Sequence, residues 1–487
     1  MTKMSRRDFL KVSAAGAVSA GVFSSLHLAT GARVLGANED IRVACVGIRG
    51  KGSSHIQAFS KMSGVRLVAL CDVDKKVLGG RVADCEKAGA KVQSFVDIRK
   101  LLELKDLDAI VVAAPHHWHS LATVWACQAG KDVYVEKPVS HNIFEGRKAV
   151  EAARKYNRIV QGGTQKRTDT GLKEVFDLMR EGGLGKILWA RGLCYKPRGN
   201  IGKVNGPQTV PESVDYDLWC GPAPKAPLMR RNLHYDWHWF WDTGNADIGN
   251  QGIHEMDLCR WALGQDGPAP KVFSIGGRFV HDDNAETPNT QIAFLDYQPA
   301  PLIFEVRGLP MKKGMDAMDN YRGGRVDVVI QCENGHFMGD GGSGWIYDKD
   351  GKKVRQFKGD GGAEHQKNFI KAVRSRKQSD LNADIELGHL SAILVHMSNI
   401  SYRLGKEKRP EEVLEAIKGN KDMTDSYERF LKHLQANEVD LKKAMVTLGP
   451  VLQFDPKAER FTGEFSDEAN KLVSRAYREP FVVPEKV

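Results

Sequence analysis

The stretch Ile41-Arg-Val-Ala-Cys-Val-Gly-Ile-Arg-Gly-Lys-Gly52, taken with Val65-Arg-Leu-Val-Ala-Leu-Cys-Asp72, decides the fold. Its first six residues are an apolar run of strand length, rich in β-branched side chains. Gly47, Gly50 and Gly52 then interrupt any regular pattern. A helix-compatible segment covers 53–62, and a second apolar run ends on Asp72. Strand, glycine turn, helix, strand and acid, in that order, predict a dinucleotide-binding unit. Glycines let the backbone approach a pyrophosphate, whose charge meets the positive end of the helix. Asp72 is placed to bind the adenosine ribose hydroxyls and to repel a 2′-phosphate, which predicts NAD, with NADP disfavoured. The turn departs from Gly-x-Gly-x-x-Gly: Arg49 holds the middle position, and Gly50 is set to restore the close approach one residue later.

Outward from this unit the same alternation continues. Residues 107–114 read as a buried strand ending at Pro115, and a helix is expected over 120–129. Asp132-Val-Tyr-Val-Glu136 begins the next strand. Ligands of open α/β sheets lie beyond the carboxyl ends of the strands. Pro115, His119, Glu136 and Lys137 fall there, and join Gly47, Arg49, Gly50, Gly52 and Asp72 as the expected cofactor-binding set. Lys137 is also a candidate acid/base, because burial and nearby positive charge lower an amine's pKa toward neutrality.

Three pieces together, the glycine turn with Asp72, Pro115-x-x-x-His119, and Ala129-Gly-Lys-Asp-Val-Tyr-Val-Glu-Lys-Pro138, make the chain resemble the Gfo/Idh/MocA (glucose–fructose oxidoreductase and inositol dehydrogenase) family. The resemblance covers residues 40 to about 410. It implies an N-terminal Rossmann domain followed by an α+β domain with a large, mostly antiparallel open sheet. One face of that sheet is expected to line the site, the other to meet solvent or a partner subunit in a dimer or tetramer. It also implies that Lys137 contacts both substrate and nicotinamide.

The second half fits that plan. Strand-like runs at 187–193, 272–279, 290–296, 301–306 and 325–331 follow one another with little helix between, as an antiparallel sheet requires. Arg167, which closes the segment Gln161–Arg167, is assigned to the substrate. So is Trp237, in the aromatic and histidine run His234-Tyr-Asp-Trp-His-Trp-Phe-Trp241, read either as core or as a platform for a sugar face. In Asn250-Gln-Gly-Ile-His254, helical spacing would put Asn250 and His254 on one side. The family pattern implies Asp at the first of these positions. Asn binds a hydroxyl but is no base, so acid/base work falls to His254 and Lys137, with Asn250 and His254 at the substrate. Asp257 is expected to orient His254 or to pair with Arg260. His365, Asn368, His389 and His396 are expected to be structural. No metal site is expected.

The remaining composition limits partners and location. The chain has 487 residues, 27% of them charged, and a formal net charge of +10. Residues 1–37 carry Arg6-Arg7, then Phe9-Leu-Lys11, then an uncharged stretch from Val12 to Ala29 and small residues to Ala37. This resembles a twin-arginine export signal and predicts a periplasmic or other extracytoplasmic destination. The leader alone contributes +4, from five basic residues against Asp8. The rest shows no basic run, so nucleic acid is not an expected partner, and the membrane matters only for export. The eight cysteines show no Cys-x-x-Cys spacing; Cys45 and Cys71 lie in strand-like runs, as reduced buried thiols do. The expected organisation is leader 1–37, NAD-binding domain 38–160, substrate and oligomerisation domain 161–415, and tail 416–487. The expected activity is NAD-dependent oxidation or reduction of a sugar, glycoside or polyol hydroxyl, with the cofactor tightly held and recycled. Redox-neutral glycoside cleavage and non-catalytic sugar binding are the alternatives.

Overall fold

The computed structural model describes residues 40–487; the leader expected over 1–37 lies outside the described residues. Six short runs, β1 (Ile41–Val46), β2 (Val65–Cys71), β3 (Gln93–Phe95), β4 (Ala109–Val112), β5 (Asp132–Val135) and β6 (Val160–Gly162), form an all-parallel sheet in the order β3-β2-β1-β4-β5-β6. This is the doubly wound dinucleotide-binding order, whose strand sequence reverses beside β1. β1, β4 and β5 are buried along their whole length, as a sheet with helices on both faces demands. Helix Gly50–Ser60 starts three residues earlier than its apolar spacing implies. Helix His116–Gln128 likewise begins immediately after Pro115, so His116 and His119 sit in its first turn rather than before it. Pro115 stands at the N-cap with φ −56°, the value its ring imposes.

The second sheet has twelve strands. They are β7 (Ile187–Tyr195), β8 (Lys271–Gly277), β9 (Thr290–Leu295), β10 (Leu302–Arg307), β11 (Val328–Cys332), β12 (Gly335–Asp340), β13 (Ser343–Tyr347), β14 (Lys353–Lys358), β15 (Lys406–Lys408), β16 (Val446–Leu448), β17 (Leu452–Asp455) and β18 (Arg460–Thr462). Its main path runs β14-β13-β12-β11-β7-β10-β9-β8-β16-β15, antiparallel except between β7 and β10. The strands β12–β14 were not legible, because glycine and charged residues dilute the two-residue alternation there.

One expectation is corrected. The sheet face away from the helices Ile253–Ala262 and Ile385–Arg403 is not open over β8–β10. Ile275, Ile292, Phe294 and Ile303 on that face pack against Val413, Tyr427, Phe430 and Leu434, from helices Pro410–Ile417 and Lys421–Ala436. The alternate residues Val272, Ala293, Leu295 and Phe304 enter the core on the opposite face. The tail also does more than trail: β16 and β17 extend the sheet beside β8, and Phe481 packs on Trp118 and Trp125 of the nucleotide half. All eight cysteines are buried free thiols. Among the described residues no helix is long and apolar enough to cross a membrane.

Candidate active site

The carboxyl ends of β1, β2, β4 and β5 open into a cavity of about 450 Å³. Its floor is the glycine turn. Gly47 has φ +74°, and a Cβ there would sit 2.6 Å from the Ala114 backbone nitrogen. A Cβ on Gly52 would sit 1.9 Å from the Gly47 carbonyl oxygen. Both positions therefore exclude any side chain. Gly50 differs: a Cβ there meets nothing within 4 Å, and the residue lines the cavity. Arg49 precedes the helix without capping it through its side chain, and the first turn holds no acid. The first amides of the helix thus face open space with a partial positive charge, which fits a pyrophosphate. Asp72 accepts from the amides of Ile48 and Asp74, both at 2.9 Å, which fixes its carboxylate at the end of β2. Burial raises its pKa, and the two amides oppose that rise.

Lys137 and its surroundings form the other end. The Lys137 ammonium nitrogen donates to the Asn250 carbonyl at 2.7 Å. Burial, with Lys51 nearby, lowers its pKa, while Glu136 opposes. Glu136 points the other way, 2.8 Å from Nε2 of the wholly buried His55, which holds the carboxylate well below its usual range against burial. His254 lines the cavity, and burial beside Lys137 keeps its imidazole neutral. Its Nδ1 is buried with no hydrogen-bond partner among the described residues, and a ligand hydroxyl would satisfy it. Trp237 and His238 stack at 3.6 Å between ring centroids, and His116 meets Trp237 edge-on at 4.7 Å. Trp237, Tyr235 and His238 line the cavity, so part of the aromatic run is wall; Trp239 is buried elsewhere, beneath Arg198.

Other expected positions need correction. Asn250 and His254 are not on one helix: Ala246–Asn250 ends, Gln251 and Gly252 turn, and Ile253–Ala262 begins. A Cβ on Gly252 would lie 2.8 Å from the Phe304 ring, so the glycine brings the turn down onto the sheet. Both residues still line the cavity. Arg167 is not among the lining residues; its guanidinium is held by Asp257 at 2.8–3.0 Å and lies over Trp261. Asp257 therefore pairs with Arg167, and at 3.8 Å with Arg260, instead of orienting His254. His119 lines the cavity but has both ring nitrogens against carbonyls, of Pro138 at 2.6 Å and Ala114 at 2.7 Å, so it joins the β4 and β5 ends. His365, His389 and His396 bind Gly162, Glu459 and Ser140 away from the cavity.

Sequence reasoning missed three groups close to the site, two of which carried no signal strong enough to find. Asp247 is buried against Arg198 and reaches the Asn250 side chain at 3.3 Å. Glu255, next to His254, shares the Lys166 ammonium with Asp340. One ammonium cannot neutralise two carboxylates, and burial pushes the Glu255 pKa up to about 7. For His55 a signal existed: it lies on the stripe Gly52, Ile56 and Phe59 that the helix buries.

A family model described as an oxidoreductase family with an NAD-binding Rossmann fold matches residues 41–164, and the model of that family's C-terminal α/β domain matches residues 190–304. The chain belongs to the Gfo/Idh/MocA family. Residues 3–23 match the twin-arginine translocation signal, which implies export. Among curated relatives, inositol 2-dehydrogenase of Salmonella typhimurium is 27% identical over 48% of this chain and 57% of its own. The α-N-acetylgalactosaminidase of Shewanella oneidensis is 27% identical over 39% and 45%. A glycosyl hydrolase family 109 protein of Solibacter usitatus is 32% identical over 30% and 35%. The chain thus spans about half the length of the curated relatives it matches, or less. Solved structures that share the fold include two dehydrogenases. The WlbA dehydrogenase of Bordetella pertussis, in complex with NADH and UDP-GlcNAcA, has TM-score 0.56 and 19% identity over 75% of this chain and 97% of its own. A levoglucosan dehydrogenase with NADH has TM-score 0.56 and 14% identity over 74% and 96%.

Proposed function

We propose that this exported Gfo/Idh/MocA protein oxidises or reduces a hydroxyl of a sugar, glycoside or polyol, with NAD held as a resident cofactor. The observation that carries this reading is Lys137: a half-buried amine, anchored at 2.7 Å to the Asn250 carbonyl, in the same cavity as the glycine turn. Bound NAD supplies the hydride acceptor or donor. The chain's residues do the rest. The Lys137 amine takes the proton from the substrate hydroxyl, because burial favours its neutral form. His254, neutral, and the Asn250 amide hold the hydroxyls, and the Trp237 face excludes water beside them. Asp72 gives the expected preference for NAD, and Gly50 leaves room for the pyrophosphate that either nucleotide carries. Export of the folded protein to the periplasm carries the nucleotide along, and a second substrate or reversal of the first step recycles it. Assembly into a dimer or tetramer belongs to the same proposal, checked by light scattering.

The α-N-acetylgalactosaminidase and family 109 relatives favour a second reading, glycoside cleavage without net redox. There a transient ketone would acidify the neighbouring C–H, the aglycone would leave by elimination, and water would add before the ketone is restored to alcohol. A panel of free sugars and glycosides added to holoprotein, followed through nicotinamide absorbance, tests the first reading. Deuterium from solvent at C2 of recovered sugar marks the second; glycoside release without it excludes that route. Sugar-dependent absorbance change that survives Lys137→Ala overturns the catalytic assignment in both.

A further inference from the structure

Part of the wall around the adenosine end of the cavity comes from outside the nucleotide-binding half. Val73, Val96 and Ile98 line it from the β2 and β3 ends, and Trp118 from the helix after β4. Facing them are Leu218 and Trp219, from the short helix Tyr216–Cys220 in the second half of the chain. The segment 213–237 that carries them is tied down on both sides of the cavity. Toward β2, the Lys75 amide donates to the Ser213 carbonyl at 2.8 Å, and the Asp215 amide to the Val73 carbonyl at 2.9 Å. His234 Nε2 lies 2.9 Å from the Asp74 carboxylate. Toward β4, the Trp118 indole donates to the Leu218 and Trp219 carbonyls at 3.0 and 3.1 Å, and His117 Nε2 lies 3.0 Å from the latter. Gly221, at φ +48°, lets the strand of chain pass against Trp118, where a Cβ would stand 2.3 Å from its ring.

A second layer holds this strap from behind. Arg478 of the tail donates to the Asp217 carboxylate at 3.0 Å, the Asp217 carbonyl at 2.9 Å and the Gly221 carbonyl at 3.1 Å. Phe481 sits 5.7 Å from the Trp118 ring and 6.3 Å from Trp125. The C-terminal tail, which carries no chemistry of its own, therefore fastens the strap to the nucleotide half.

We infer that residues 213–237 form the second wall of the adenosine site, and that Arg478 and Phe481 latch this wall shut so that the nucleotide stays with the protein. The inference rests on the NAD-binding reading above and adds the residues that set the exchange rate. A nucleotide inserted between the sheet ends and this strap leaves only when contacts at both ends of the strap break. Arg478 is then a positioning residue, acting on the nucleotide through the strap, whereas His234 both ties the strap and lines the cavity itself.

The test is exchange of bound NAD. Full-length protein purified with its nucleotide is mixed with isotopically labelled NAD, passed through gel filtration at intervals, and the bound nucleotide is weighed by mass spectrometry. The unmodified chain should keep its original nucleotide through the column. His234→Ala and Arg478→Ala, each deleting partly exposed polar ties, should exchange about tenfold faster or more. Their melting temperatures should stay within a few degrees of the unmodified protein, and His234→Gln and Arg478→Lys should recover part of the retention. Equal exchange in all variants, or complete exchange of the unmodified chain on mixing, overturns the latch while leaving NAD binding and the proposed reaction standing. Failure to find or load any NAD overturns both.

Discussion

Gly50 and Gly52 of the turn make a sharp prediction, because they should respond oppositely to one added methyl group. Gly50 has an ordinary φ and open space where a Cβ would go. As the first residue of helix Gly50–Ser60, Gly50→Ala should leave stability unchanged or raise it by up to about 1 kcal/mol, through reduced chain entropy. Gly50 lines the cavity, and the proposed pyrophosphate contact is with the helix amides beside it. A methyl there overpacks the bound complex, at a cost of about 1–3 kcal/mol, or about 5- to 150-fold in NAD affinity. Gly52→Ala does the reverse. Its Cβ would overlap the Gly47 carbonyl at 1.9 Å, and backbone cannot rotate away as a side chain can. Loss of about 3 kcal/mol or more of folding stability should follow. The assays are denaturant unfolding of nucleotide-stripped protein and NAD titration followed by tryptophan quenching, since Trp118, Trp219 and Trp237 line the cavity. If Gly50→Ala folds normally and binds NAD as tightly as before, the turn is not the pyrophosphate cradle. If Gly50→Ala is strongly destabilised, the space above it is not open.

Other outcomes follow from named groups. On the proposed role of the neutral Lys137 amine as base, the turnover rate for hydroxyl oxidation should rise with pH through its pKa, at a value below the usual 10.5. Lys137→Ala should lower turnover by about 10²- to 10⁴-fold, and Lys137→Arg should not restore it, since a guanidinium stays charged. Glu255 holds its proton more tightly in the native state, with a pKa of about 7 against 4.5. Its contribution to stability is complete below pH 4.5 and is lost as pH rises through 7, by about 1–3 kcal/mol; in Glu255→Gln unfolding curves at pH 5 and pH 8 this part of the change should disappear. All eight thiols are buried, so a thiol reagent should label none rapidly in native protein and eight in denaturant. Fast labelling in the native protein would contradict the packing around β1 and β2.

How much was legible depended on distance along the chain. Gly47, Gly50, Gly52 and Asp72 lie within one βαβ unit, where local spacing dictates both fold and role. Lys137 was legible because a strand end states its position. Arg167 was misplaced because its partner, Asp257, lies ninety residues away. His55 and Glu136 were missed as a pair for the same reason, being 81 residues apart. The helix break at Gln251–Gly252 was hidden because its cause is the Phe304 ring, not a local breaker pattern.

The sequence by itself determined a parallel nucleotide sheet, the family, the export signal, and the lysine and histidine that face the cavity. Those features are written in short-range periodicity and in residues whose backbone or charge admits few alternatives. Only the tertiary structure decided that helices 410–436 cover the outer sheet face over β8–β10, that the half-buried Lys137 is held by a backbone carbonyl, and that the tail is tied to the segment around Asp217. Burial and hydrogen-bond partnership come from segments more than a hundred residues apart. No local pattern records which of them will meet.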